Sequence, residues 1–488
     1  MTVSVARRAA SGVAWNIVAG VAVRVVGLAG TLVLTRYIAP AEYGEVSVAV
    51  VCVLTATRFF TFGLGPYVIA RRTGPEETFQ IHVTHMAAIG VACLGVVLLR
   101  EPLGAALGSA GMVRFLPGLA LATFLAQTSQ IPSATLIRSL NFRVVALSRA
   151  GGEVVFTVVS VALAPLIGAV AIVAGNLARS VVTSSLVIAR SNKAEWLRPA
   201  PPRWQTTRAA LAFGIPLTAG NLADTLATSA DNLLMSRLFG PKVMGQYNLA
   251  YNLASTPTGQ VAEYIGDTLL PSFSRMDHEQ RRRALPRAAG LMALTIYPLA
   301  AGLAAVTPTL VPTLLDARWA DLGPMLQILC GFAISSPVTS LVSSLLASEG
   351  KTRAVMMMFV LKAALVLGLI LAASRMGALW ACGGVVLGFA LYGATYLVVA
   401  RRLAGVPAMP VVGATLRPLL ASLSMFGIVV GVRAVAAGAG LGPGFLRLAL
   451  EVAAGGVSYL GLAFLFARPA LLELTSLAAG VLRSRTRP

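Results

Sequence analysis

Fourteen times along this chain of 488 residues an apolar run of about 20 residues recurs, and this repetition limits what the chain can fold into more than any other feature. A run of that length crosses the hydrocarbon core of a bilayer as a helix, with its backbone hydrogen bonds closed internally. The spans are read at 12–35, 44–65, 82–99, 115–137, 147–167, 169–189, 210–235, 246–270, 287–315, 324–347, 354–373, 377–399, 411–432 and 446–466. No gap between them accommodates a soluble domain. The longest, about 190–209, is a linker containing Pro199, Pro201 and Pro202. A content of 57% hydrophobic and 12% charged residues agrees with a membrane protein and exceeds the apolar share of a soluble globule. The first apolar stretch is about 23 residues long and lacks an Ala-x-Ala-like processing site after it, so it is read as a span and not as a cleaved leader.

A second feature organises these spans. Thr35, Arg36, Pro40, Gly44 and Ala49 reappear 201 positions later as Ser236, Arg237, Pro241, Gly245 and Ala250, in register and without a gap. Gly65-Pro66 with Arg71 has a looser echo in Leu270-Pro271 with Arg275. The offset covers six spans, an even number, so both copies enter the membrane facing the same way. This predicts a parallel repeat about an axis along the membrane normal, the organisation of a secondary transporter. The expected fold is an all-α polytopic membrane protein of about 14 transmembrane helices. Its expected divisions are a six-helix lobe at 1–190, a linker at 191–209, a second six-helix lobe at 210–402, and spans 13 and 14 with a basic tail at 403–488.

The net charge of +21 raises the question of nucleic acid, and its placement answers it. With the N-terminus in the cytoplasm, 26 basic residues fall on that side, from Arg7 and Arg8 through Arg281, Arg282 and Arg283 to Arg487. Nine fall opposite: Arg36, Arg100, Arg114, Arg237, Lys242, Arg318, Arg375, Arg433 and Arg447. The bias is the positive-inside pattern of an inner-membrane protein and places both termini in the cytoplasm. Nucleic acid is therefore not an expected partner. Cys52, Cys93, Cys330 and Cys382 lie within apolar spans without metal or disulfide spacing, and only His82, His85 and His278 complete the set of metal-ligating types that are scarce here. Neither a metal nor a cofactor is expected.

Topology leaves four basic residues unexplained: Arg24 in span 1, Arg58 in span 2, Arg179 in span 6 and Lys362 in span 11. A charge at a helix centre costs about 2.5–3.5 kcal/mol by insertion scales, so it normally faces protein or water. Snorkelling to an interface is an alternative for Arg58 and Lys362, and pairing with Glu153 is an alternative for Arg179. Around Arg24, helical spacing gathers Asn16, Gly20, Gly27 and Thr31 into one polar and small-residue stripe. Span 7 gathers Asn221, Asp224, Thr228 and Asp231, and span 8 gathers Asn248, Asn252, Ser255, Gly259 and Glu263. Small and amide residues also simply pack helices together. The expected site is a cavity between lobes, its first wall cationic and its second acidic. Arg24 and Arg58, with Asn16, Asn221, Asn252, Arg179 and Lys362, are the candidate substrate-binding residues. Asp224, Asp231 and Glu263 are candidates for ion coupling or for a gate, and an inter-lobe salt bridge is the alternative for the same residues.

Several segments carry a family resemblance. They are Phe213-Gly214-Ile215-Pro216-Leu217, Asp231-Asn232-Leu233-Leu234, Arg237-Leu238-Phe239-Gly240, Gly245-Gln246-Tyr247-Asn248-Leu249-Ala250 and Pro271-Ser272-Phe273-Ser274-Arg275. In the first half they are joined by Leu34 to Gly44, Phe62-Gly63-Leu64-Gly65 and Leu140-Asn141-Phe142-Arg143, and after span 9 by Arg318-Trp319 with Pro324 and Leu326. Over about residues 10–400 the chain resembles bacterial Wzx-type oligosaccharide flippases of the multidrug/oligosaccharidyl-lipid/polysaccharide superfamily. Spans 13 and 14 carry little of the likeness.

The resemblance implies a secondary transporter that flips an isoprenoid (undecaprenyl) diphosphate-linked oligosaccharide from the cytoplasmic to the periplasmic leaflet by alternating access. It implies a role in cell-surface polysaccharide biosynthesis, membrane lipids as partners, and polysaccharide polymerase and chain-length proteins as further partners. It carries a cationic cavity role onto Arg24 and Arg58. The alternative is a cation-coupled multidrug antiporter of the same superfamily, with Asp224 and Asp231 binding the cation. A major-facilitator transporter is disfavoured because the segment Gly65 to Arg72 lacks the usual Asp-bearing basic loop, and a membrane glycosyltransferase because the periplasmic loops are short.

Overall fold

Where no water satisfies free backbone groups, long apolar runs have one solution, and each described element of this chain is helical. The computed structural model describes residues 26–71, 73–139, 141–275, 277–349 and 351–467; within helices, the side chains of 216, 217, 219–228, 260–275, 278, 348, 352 and 404 are not described. The helices are α1 (Pro40–Phe60), α2 (Leu64–Arg71), α3 (Pro75–Leu98), α4 (Arg100–Ala106), α5 (Leu116–Gln127), α6 (Gln130–Arg138), α7 (Phe142–Ile167) and α8 (Val170–Arg190). They continue as α9 (Trp204–Arg275), α10 (His278–Leu314), α11 (Leu322–Leu329), α12 (Ser336–Ser348), α13 (Thr352–Ser374), α14 (Ala378–Ala404), α15 (Ala408–Gly438) and α16 (Phe445–Phe466).

Among the described residues, 10 stretches are long and apolar enough to cross a membrane. The remaining expected spans also fall on helix. Only the end of span 1, residues 26–34, is described; span 4 is split between α5 and α6; spans 7 and 8 run through α9. Leu98, Leu166 and Leu465 are each more than 70% exposed, as side chains facing lipid tails would be.

Helix ends differ from the hydropathy limits for readable reasons. Pro40 and Pro75 open α1 and α3 in the first turn, where a missing N–H costs nothing, and Glu76 and Glu77 sit where the helix dipole favours negative charge. These polar turns lie outside the apolar window and so were not included in it. At the far end of α1 the chain turns through Phe62 (φ 45°) and Gly63 (φ 57°). The α5–α6 break lies just before Pro132, which has no N–H for the carbonyl of Thr128. Thr128 and Ser129 bond back to the carbonyls of Leu125 and Ala126 at 2.6 and 2.9 Å, and Ser184 adds a bond to Leu125 at 2.9 Å. Span 10 breaks in the same way, through a 3-10 turn at Cys330–Ser335 ahead of Pro337. Within α9, Gly240 alone leaves helical geometry, at φ 80° and ψ 174°.

Contacts divide the chain into two compact units, Met1–Gly245 and Gln246–Pro488. This division falls inside α9, whereas the lobes expected from the sequence repeat would meet at the linker 191–209. The core of the first unit joins Ile38, Val48, Ala49, Phe115, Leu119, Ala171 and Met244. In the second, Ala305 of α10 packs with Met425 and Val429 of α15, and Leu448 and Leu462 of α16 close over them. Span 14 is thus packed into the second unit: Tyr459 of α16 donates to the Leu294 carbonyl of α10 at 2.6 Å.

Candidate functional site

The two copies of the repeat meet. A Cβ placed on Gly44 would overlap the Pro241 carbonyl and stand 2.9 Å from the Gly245 nitrogen; a Cβ on Gly245 would overlap the Pro40 carbonyl and stand 2.9 Å from the Gly44 nitrogen. The contact is reciprocal, Pro-x-x-x-Gly against Pro-x-x-x-Gly, and it requires glycine at both positions so that the backbones can approach. Ser236 strengthens this end by donating to the Leu107 carbonyl at 3.0 Å. A second close approach joins the end of α1 to the start of α9, where a Cβ on Gly63 would lie 2.8 Å from the Gly214 Cα. Tyr67 packs edge-on against Phe213 beside it, with centroids 5.5 Å apart.

Arg179 lines a cavity of about 320 Å³ inside the first unit, with Gln127, Arg149, Glu153 and Asn176 among its polar walls. Its guanidinium donates to Glu153 Oε1 at 2.9 Å and to Asn176 Oδ1 at 2.5 Å, and lies 5.2 Å from the Phe156 ring centroid. The pairing with Glu153 that the sequence offered as an alternative is therefore present. Arg149 has no ion pair among the described residues. His85 is buried under the same helices and donates from Nε2 to Gln127 Oε1 at 3.1 Å. Neither Arg149 nor the His85–Gln127 pair was singled out from the sequence: the first counted only as a topological charge, and the second joins residues 42 apart.

The other candidates fall in separate places. Arg58 is exposed in the last turn of α1, two residues from its end. Asp231 is 5% exposed, its Oδ1 accepting from the Asn232 backbone at 2.8 Å. In the second unit, Asn252 is exposed and donates to Asn248 Oδ1 at 3.0 Å. Lys362 is held inside, 9% exposed, with its Nζ 4.8 Å from the Phe389 ring centroid, so it does not snorkel. Asn221, Asp224 and Glu263 have a described helical backbone only, and Asn16 and Arg24 lie outside the described residues.

One buried ionic network was missed altogether. Glu451, fully buried in α16, accepts from Thr309 Oγ1 at 2.6 Å and Arg447 Nε at 3.2 Å, while its Oε2 has no partner among the described residues. Arg447 also donates to the carbonyls of Leu441 and Arg433 at 3.0 and 3.1 Å, and Arg433 donates to the Ala305 carbonyl at 2.8 Å. The i,i+4 spacing of Arg447 and Glu451 was a readable signal. The resemblance segments also pack together: Gln246 donates to the Arg318 carbonyl and to Asp321 Oδ2, each at 3.4 Å, beside a fully buried Trp319. The Arg318 backbone amide, then its guanidinium, holds the Asp316 carboxyl below the usual carboxylate range.

Known proteins place this arrangement. "Lipopolysaccharide biosynthesis protein WzxC" of Escherichia coli (strain K12) is 26% identical over 71% of this chain and 71% of its own. "Succinoglycan biosynthesis transport protein ExoT" of Rhizobium meliloti (strain 1021) is 26% identical over 61% and 60%. Among solved structures, the lipid II flippase MurJ in an inward closed conformation superposes with a TM-score of 0.77 at 12% identity, covering 94% of this chain and 99% of that one. An inward-facing multidrug resistance MATE family transporter of the MOP superfamily gives 0.64 at 15% identity, covering 78% and 94%. The fold is therefore that of these transporters. Residues 33–324, more than half of the chain, match the family described as "Polysaccharide biosynthesis protein", and the chain belongs to that family.

Proposed function

We propose that this protein flips an isoprenoid (undecaprenyl) diphosphate-linked oligosaccharide from the cytoplasmic to the periplasmic leaflet of a bacterial inner membrane, as a step in cell-surface polysaccharide biosynthesis. The observation that carries the reading is membership of a polysaccharide biosynthesis family in a chain that has the fold of a lipid flippase. No described segment offers a soluble catalytic domain, and the family and fold are those of transporters.

Alternating access fits the repeat. In the proposed orientation, with both termini cytoplasmic, the contact of Pro40–Gly44 with Pro241–Gly245 closes the periplasmic end, and the approach of Phe62–Gly63 to Gly214 narrows the cytoplasmic end. Lobes at 1–190 and 210–402 exchange these closures around a cavity. Arg24 and Arg58 hold the diphosphate through guanidinium forks matched to phosphate oxygens, while Asp224 and Asp231 carry coupling or gating. Asn16, Asn221, Asn252 and Lys362 contribute to the sugar path, and Glu263 joins the acidic wall. For Arg179 the ion pair with Glu153 supports a structural role, and polymerase and chain-length proteins are the expected recipients of the product.

Deleting the gene is expected to strand a lipid-linked oligosaccharide at the cytoplasmic face, detected by its resistance to a periplasmic glycan-modifying enzyme. Arg24→Ala supplied in trans should fail to rescue export at normal protein level, and Arg24→Lys should restore part of it. Normal surface glycan with altered drug tolerance in the deletion strain would instead establish the antiporter.

A further inference from the structure

A second cavity, of about 640 Å³, lies between residues 283–290 of α10 and 413–420 of α15, with Ala467, just past the end of α16, in its wall. Arg283 and Arg287 reach it from α10, four residues apart on one face, and Arg417 reaches it from α15. Among the described residues no carboxylate lines it, although Arg287 has a partner of its own; Arg283 Nε has a neighbour in Glu279 at 3.1 Å, on the exposed side of α10. Arg417 is exposed and has no ion pair among the described residues. The other walls are apolar, with Pro286 on α10 and Leu416 and Leu420 on α15.

Depth identifies the occupant. At 1.5 Å per residue α15 is about 46 Å long and overhangs a hydrocarbon core of about 30 Å. Arg417 and Arg433, on the same helix, are separated by about 24 Å, a little less than that core, so a helix carrying both sets each about 3 Å inside one boundary, within headgroup reach of an arginine side chain. Arg417 therefore reaches headgroup level, and Leu420, about one turn further into the membrane, continues the wall towards the tails. Between Arg287 and Arg417 the helices approach closely: a Cβ on Gly290 would lie 3.3 Å from the Ala414 carbonyl, three residues before Arg417. The chain's own tail after Ala467 is a poor occupant, since Arg468, Arg483, Arg485 and Arg487 outnumber Glu473 there.

We propose that this cavity binds the phosphodiester of an anionic diacyl phospholipid from the leaflet on its own side. Guanidinium groups match phosphate oxygens two at a time, and basic pockets between helices at this depth select anionic headgroups. The site is independent of which lipid-linked substrate the protein transports, and its loss leaves the flippase reading standing.

The test is native mass spectrometry of the purified full chain with added palmitoyl-oleoyl phosphatidylglycerol or phosphatidylcholine. Wild-type protein is expected to retain one phosphatidylglycerol under activation that strips phosphatidylcholine. Arg417→Gln should weaken that retention about fivefold and R283Q/R287Q/R417Q on the order of a hundredfold, with Arg417→Lys keeping much of it. Leu416→Trp with Leu420→Trp, which fills the apolar wall and spares the charge, should also expel the lipid. Equal retention of both lipids, or unchanged retention in the triple variant, overturns the proposal. So does displacement by millimolar inorganic phosphate alone, which assigns the arginines to a free anion.

Discussion

Charge inside a membrane protein is informative only with its partners known, and two arginines of this chain separate the cases. Arg179 was read as a cavity residue or as the mate of Glu153, and the structure shows the pair. With both side chains more than a third exposed, that pair contributes little to stability. Glu451 is different: it is fully buried, and Arg447 and Thr309 are its partners. Removing one member of such a pair costs about 3–5 kcal/mol because the other charge is stranded. Glu451→Ala is therefore expected to lower thermal stability in detergent sharply, and Arg447→Ala similarly. Glu451→Gln keeps the acceptor for Thr309 and should fall between these and wild type. A melting curve by intrinsic fluorescence distinguishes them; equal stability of Glu451→Ala and wild type would show that the network is idle.

At the level of the element, most helices were legible because their backbone requirements leave no alternative. What the hydropathy pattern missed were the polar first turns of α1 and α3 and the breaks before Pro132 and Pro337. Both omissions have one cause: averaging over an apolar window is blind to a proline's missing donor and to a hydroxyl that bonds back to its own helix. Glycines divide in the same way. Gly95 has open space around it, whereas Gly44 and Gly245 have a neighbour's backbone. Gly95→Ala should be silent. Gly44→Val and Gly245→Val should each force the two repeat copies apart, with loss of export at near-normal membrane insertion, read by surface glycan against protein level.

For the whole molecule, the repeat predicted a parallel pair of units, and its two copies pack on each other through the residues that betrayed the duplication. If that contact is a gate, holding it shut must stop transport. Ala41→Cys combined with Lys242→Cys, flanking the contact, should be bridged by a short thiol-specific cross-linker, and export should fall and recover on reduction. The four native cysteines are buried and offer no competing site. Undiminished export by fully cross-linked protein would show that this end does not open.

By itself the sequence determined the all-helical membrane fold, the duplication and the family likeness, because these follow from local rules: backbone hydrogen bonding in lipid, residue spacing and order. Which charges find partners is not local. Arg179 and Glu153 are 26 residues apart, Thr309 and Glu451 are 142 apart, and the arginines of the basic cavity lie on α10 and α15. Only the tertiary structure brought these groups together, since the energy of a charge in a membrane depends on what stands within a few ångströms of it and not on its place in the chain.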